Sequence, residues 1–218
     1  MADNYLEKKY EAVFGAGASR KTVVKHANPT LDSLLLRNRS HRGYSQGYVV
    51  EMQQLETVIS VNTRIPSARN QQVLRFLPVT ASSGADIVLE HIALGGALPE
   101  LHLPASGEEP RAFIIVCTSV PETRYVDIDL GISLQSMSLK AVEMGLNSVT
   151  VCAFDKVAIK SAFGLGSEME PLAILAVGKG TDNIQLLSIR SDEDHRYYRK
   201  DGVHYVPKLT LDDLIIRR

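Results

Sequence analysis

The sequence predicts a mixed fold, an α/β or α+β sandwich, on two observations. Three β-prone apolar segments, within residues 111–119, 148–154 and 171–178, show little of the polar alternation of a half-exposed strand, as expected of strands buried on both faces. Between them run two helical patterns: a long apolar one opening at Asp127 and ending at Gly145, and a short one over residues 155–163 that stops at Gly164. Strand, helix, strand, helix, strand is an order that an all-helical protein does not have.

The elements before this run are shorter. Residues 1–28 are polar and mixed in charge, with a helical patch near residues 4–13. The run Gly15-Ala16-Gly17-Ala18-Ser19-Arg20-Lys21-Thr22 satisfies neither phosphate-loop pattern, because Arg20 stands where a P-loop needs glycine and the dinucleotide fingerprint lacks its strand and third glycine. This divides the chain into an N-terminal extension, 1–28, and one domain, 29–218. Pro29-Thr30 opens a helix with Thr30 as N-cap and Asp32 in its first turn. That helix runs into Arg37-Asn38-Arg39-Ser40-His41-Arg42. Three guanidinium groups there suit a helix C-terminus, and they equally suit a phosphate monoester, which takes charge-assisted donors and a hydroxyl. A second helix, 51–63, leads to Pro66, which ends it.

The stretch Pro66-Ser67-Ala68-Arg69-Asn70-Gln71-Gln72 concentrates amide hydrogen-bonding capacity beside a β-prone segment, 73–79, in which Pro78 marks an edge or an end. Residues 84–103 read as irregular with one short helical segment. The helix from Asp127 is apolar nearly all round, which predicts burial on more than one side, in a core or against a second subunit. After Gly178 the chain turns polar, with Asp201-Gly202 as a turn between short strands and residues 209–216 as an amphipathic tail.

Composition excludes several function classes. A formal net charge of −1 over 218 residues argues against a nucleic-acid or anionic-membrane binder working through bulk electrostatics. The apolar runs are too short to span a bilayer, no leader-like segment opens the sequence, and two cysteines do not make a disulfide framework, so a cytoplasmic setting is expected. The six histidines and two cysteines show no metal spacing, and no nucleophile elbow occurs. Cys152 reads as inert packing in an apolar strand. With no nucleophile, metal site or acid–base pair, any redox chemistry has to come from a cofactor.

Four features in order resemble the flavin-dependent nitroreductase family over roughly residues 30–180. They are Arg39-Ser40-His41-Arg42 closing the first helix; Pro66-Ser67-Ala68-Arg69-Asn70-Gln71-Gln72 followed by Arg75-Phe76; the apolar helix from Asp127 to Gly145-Leu146 leading into a strand; and a last apolar strand ending in Val177-Gly178. The resemblance implies an α+β fold, a three-layer sandwich with a central, mostly antiparallel sheet flanked by helices, assembled as an intertwined homodimer with FMN at the subunit interface. It implies an FMN-dependent oxidoreductase in which NAD(P)H delivers a hydride to FMN and an electron-poor small molecule, such as a nitroaromatic or quinone, then takes its place. A non-catalytic flavin carrier or sensor is the alternative.

By the same resemblance, Arg39, Ser40 and Arg42 bind the phosphate and pyrimidine end of the flavin. Pro66, Ser67, Ala68 and Asn70 reach it from the other subunit, Cys152 and Ala153 present backbone near N5, and Arg196 or Arg199 completes the phosphate site. No catalytic side chain and no metal are implied. One departure is that Asn38 stands where the family usually carries arginine.

Overall fold

A computed structural model of the chain describes residues 28–96 and 98–217. The readings made for the N-terminal extension lie, but for its last residue, outside the described residues.

Four strands form the central sheet: β1 (Leu74–Val79), β2 (Phe113–Thr118), β3 (Asn147–Val151) and β4 (Glu170–Gly178). Their order is β1-β2-β4-β3 and every pairing is antiparallel. Pro78 sits in β1, the edge strand, where its missing N–H breaks no ladder on the open side. Every residue of β2 is buried, as is β4 from Pro171 to Gly178, because both strands are interior and both faces of the sheet are covered.

Strand periodicity divides the core into two layers. Phe113, Ile115 and Cys117 point to one face, with Val149, Val151 and Ile174, and pack on α3 (Ala85–Glu90) and α5 (Lys156–Ala162) through Val88 and Ile159. Ile114 and Val116 point to the other, with Leu175 and Val177, and meet Leu55 and Val58 of α2 (Met52–Ile59) and Met137 and Ala141 of α4 (Arg124–Glu143). Helices, sheet and helices make the expected three-layer α+β sandwich. The short helix α1 (Leu31–Arg37) is capped by Thr30, whose hydroxyl accepts from Ser33 N at 3.2 Å, and none of its residues is buried among the described residues.

The structure differs from the sequence reading at two boundaries and on one helix face. Helix α4 starts a turn earlier than Asp127, because Thr123 is extended and its hydroxyl accepts from Val126 N. Its inner face is also less apolar than composition suggested: Asp129 and Ser133 are buried alongside Val126 and Met137. Strand β3 ends at Val151 rather than at residue 154, which leaves Cys152 exposed instead of packed in a strand. The buried thiol is Cys117, pushed by burial up to about 11.

The polar region after Gly178 forms a second sheet, β5 (Asn183–Ile189), β6 (Tyr198–Lys200) and β7 (Val203–Leu209), in the order β5-β7-β6. Asp201 and Gly202, both at positive φ, make the tight β6–β7 turn. One helical turn, α6 (Leu211–Leu214), follows.

Ile115 is fully buried in the middle of the sheet. Ile115→Ala should lower unfolding stability by about 3 kcal/mol, as large-to-small core changes do; urea denaturation measures it, and a loss below about 1 kcal/mol would show that this layer is not the core.

Candidate functional site

The basic segment after α1 is held as an added strip along the central sheet. Ser40 bridges Ser148 at the start of β3, and His41 N donates to Ser148 O at 3.2 Å. Ser45 N donates to Lys179 O and Thr181 N to Gly43 O, so residues 43–45 pair with the link that leaves β4. Tyr44 is buried in the core, with its hydroxyl donating to His41 O at 2.9 Å. This close approach needs glycines: a Cβ at Gly178 would lie 2.7 Å from the Tyr44 ring, and one at Gly180 would run into the His41 imidazole.

Asp182 ties the strip down. Its Oδ2 accepts from Arg42 N at 2.6 Å and Gly43 N at 3.0 Å, while Oδ1 pairs with the Arg199 guanidinium of β6. Its side chain is only 6% exposed. Burial alone would raise the carboxyl pKa, but the two backbone donors, with Arg199 and His41, outweigh it and hold the group below the usual carboxylate range.

With the backbone held this way, Arg39, Ser40 and Arg42 line a pocket of about 300 Å³ together with Asn38, Ile184, Tyr197, His204, Val206 and Lys208. Arg39 donates through Nη2 to Leu35 O at 2.7 Å, and its Nε is buried without a partner among the described residues. Arg42 lies over the Tyr197 ring, 5.0 Å from its centre. Three cations, Arg39, Arg42 and Lys208, therefore converge on one small concavity whose buried acid is already engaged beneath it. Such a site suits a phosphate or another compact anion.

The Pro66 stretch is built against α4. Asp129 accepts from Ala68 N at 2.7 Å through Oδ1 and from Gln71 Nε2 at 2.8 Å through Oδ2, and Ser133 donates to Asn62 Oδ1 at 2.6 Å. The loop so held is strained: Arg69, Asn70 and Gln72 have φ of 54°, 54° and 47°, a region non-glycine residues seldom occupy. Pro66 and Ser67 line a cleft of about 570 Å³ between α2 and β1, and Ser67 Oγ is buried with no partner among the described residues.

The structure brings Arg39, Ser40 and Arg42 into one pocket, and Pro66 and Ser67 into another, with no lining residue in common. Ala68 is fastened to Asp129, Asn70 is exposed beside it, and Cys152 and Ala153 lie exposed beyond β3. Arg196 is not in the basic pocket: its side chain is 88% exposed and pairs with Asp194 two residues away. Arg199, the other candidate, is taken up by Asp182. Lys208 and His204 stand in the pocket instead of Arg196 or Arg199, because β7 rather than the segment before β6 faces Arg39. Sequence reasoning missed Asp129 and Ser133, although two polar residues four apart on the inner face of an apolar helix were a usable signal. For Asp182 and His204 there was none, since their partners are distant in sequence.

The Nitroreductase family model matches residues 109–179, the span from just before β2 to the end of β4. Over this third of the chain the sequence is similar to the nitroreductase family. Both the Arg39–Arg42 element and the Pro66 loop lie outside the matched residues. Among solved structures, a nitroreductase family protein from Clostridium difficile 630 is 28% identical, with a TM-score of 0.54 over 68% of this chain and 83% of that one. The FMN and NADPH-dependent nitroreductase NfnB from Sphigopyxis sp. strain HMH is 20% identical, with a TM-score of 0.58 over 70% of this chain and 89% of that one. A protein from Exiguobacterium sibiricum 255-15 crystallised in complex with FMN is 18% identical, with a TM-score of 0.59 over 71% and 90%. The last two likenesses concern the fold. No curated protein matches the chain in sequence.

Removing the buried acid leaves two backbone donors and a guanidinium uncompensated, so Asp182→Ala should cost about 3 kcal/mol of stability by urea denaturation. Because its folded pKa is depressed, the Asp182 contribution is fully present above the unfolded value of about 4 and fades as pH falls through the lower folded value. The stability gap between wild type and Asp182→Asn should therefore close on acidification; a gap independent of pH would contradict the ionised clamp.

Proposed function

We propose that the protein is an FMN-dependent oxidoreductase that works as a homodimer and accepts hydride from NAD(P)H. The observation that carries this reading is the basic pocket on a nitroreductase framework: Arg39, Arg42 and Lys208 converge on it, and a buried Arg39 Nε waits there for an acceptor. A phosphate monoester dianion has the charge and the acceptor count to engage all three. Arg39, Ser40 and Lys208 would hold the phosphate, and Arg42, the guanidinium laid over Tyr197, would face the ring system. When bound, the flavin supplies the two-electron redox chemistry, passing hydride equivalents from the nicotinamide to an electron-poor acceptor.

The chain's own residues bind, orient and exclude water. The Asp182 clamp keeps the Arg42 amide in place, and the Arg42 guanidinium donates to Ser40 O and Tyr197 Oη, which preorganises positive charge where an anionic reduced ring would need it. Cys152 and Ala153, exposed at the end of β3, are the proposed backbone contacts for the ring edge. None of these steps requires a side-chain acid, which accounts for the missing catalytic triad.

The second copy is called for by the separation of the two half-sites. Asn38 contacts Gln135, and Ala68 contacts Asp129, on α4. Six residues along a helix amount to about 9 Å of rise and about one and two-thirds turns, which sets the halves on different faces. A dimer in which the Pro66–Asn70 loop of one copy meets the Arg39–Arg42 pocket of the other would bring them together. It would also cover Leu31 (62% exposed), Leu36 (66%), Tyr125 (46%) and Ile128 (45%), on a leucine-rich helix and one side of α4 that the described residues leave uncovered.

The visible spectrum of purified protein titrated with FMN tests this: a bound flavin spectrum is expected, and no binding rejects the reading. Arg42→Ala should weaken FMN binding at least about tenfold, as loss of a charge-assisted contact does, whereas Arg124→Ala, an exposed change, should leave it unaltered. Bleaching of bound FMN by NADH or NADPH in stopped flow is expected within seconds; its absence over minutes makes the protein a flavin carrier. Light scattering should give twice the 24.0 kDa chain mass, and a flavin-loaded monomer would break the cross-subunit assignment.

A further inference from the structure

His204 is an unusual residue to find in an anion pocket of this kind. It is 3% exposed yet lines the pocket, on the strand that also supplies Lys208. Its ring packs 5.1 Å from that of Tyr197, which in turn lies under Arg42. Among the described residues its ring is shaped by charge and burial alone, with no hydrogen bond.

Of the elements around it, all but β5, whose Ile184 is its register partner, present a charged or titratable group. The strip of residues 39–43 contributes Arg42 and His41, β6 contributes Arg199, the β4–β5 link contributes Asp182, and β7 itself carries Lys208. Burial first, then Arg42 and Arg199, with His41 a smaller influence, oppose a charge on the imidazole, and Asp182 favours one only in part. Asp182 is itself committed to the Arg42 and Gly43 amides and to Arg199. In the free pocket the ring is therefore neutral near pH 7. A dianion placed among Arg39, Arg42 and Lys208 would reverse this balance, since an opposite charge within a few ångströms favours the charged ring by about 1–3 pKa units.

We propose that His204 is an anion ligand of the basic pocket that takes up one proton from solvent when a phosphate group binds. This rests on reading the pocket as a phosphate site. The protonated ring adds an N–H donor and a fourth positive charge to a pocket that Asn38 lines with a neutral side chain. Binding is thereby coupled to pH: affinity for the phosphate-bearing ligand falls as pH rises between the free and bound pKa values of the ring, at most about tenfold per pH unit.

Isothermal titration of the full chain with FMN, near pH 7 in buffers of differing ionisation enthalpy, measures the proton count. Wild type should take up about half a proton or more per FMN, riboflavin should cause none, His41→Gln should retain the uptake and His204→Gln should lose it. The small proton release from the ligand's own phosphate, with a second pKa of about 6, is the baseline that His204→Gln reveals. Tight FMN binding with no uptake in wild type, or equal uptake in His204→Gln, overturns the proposal while leaving the flavin reading intact. Should His204→Gln fail to fold, the His204 Cε1–H resonance of wild type, assigned through the backbone, must titrate at higher pH with FMN bound; an unmoved midpoint overturns it too. Inorganic phosphate separates the two readings: if it binds with His204-dependent uptake while FMN does not bind, the proposal stands and the flavin reading falls. If neither binds, both fall.

Discussion

The candidate site depends on one buried carboxylate. Asp182 joins three pieces of chain that have no local reason to meet: the Arg42–Gly43 turn, the link leaving the central sheet, and β6 of the C-terminal sheet. Such a charge is tolerable at 6% exposure only because both oxygens are engaged, one by two amides and the other by a guanidinium. The same contacts neutralise Arg199, so the free cations left to the pocket are Arg39, Arg42 and Lys208. The clamp thus decides which basic residues are available as well as where they sit.

The glycines at 43, 178 and 180 serve this arrangement through space rather than through backbone freedom. None has a positive φ, yet a side chain at any of them would collide with a neighbour: Glu108 and Thr181, Tyr44, or His41. Their absence of Cβ lets the Ser40–Ser45 strip lie flush against the sheet edge and the β4–β5 link. A different economy governs the Pro66 loop, where three non-glycine residues are held at positive φ and Asp129 supplies the compensating bonds from within α4. Strain maintained by a buried acid is a common mark of a loop that must present particular atoms.

Much of the framework was legible in the sequence. Unbroken apolar runs marked β2 and β4, because strands covered on both faces have no polar side to show. Thr30 marked a helix start through the geometry of side-chain capping, and Pro78 marked an edge or end of the sheet through its missing donor. The element Arg39-Ser40-His41-Arg42 was visible as an anion-binding candidate from residue type alone. Less visible was the start of α4, where Thr123 captured the cap in place of Asp127, and the end of β3, where exposure begins at Cys152.

By itself, then, the sequence determined a mixed α/β or α+β sandwich, the order of its buried strands and helices and the two polar stretches from which the site is made. These follow from local periodicity, turn chemistry and side-chain type, which act over a few residues. Only the tertiary structure decided which distant groups complete the pocket. It set Arg196 out in solvent, committed Arg199 to Asp182, and brought Lys208 and His204 to face Arg39. Those choices depend on the register of β5 against β7 and on a carboxylate 140 residues away from the amide it holds. Contacts of that range leave no periodic trace in the chain.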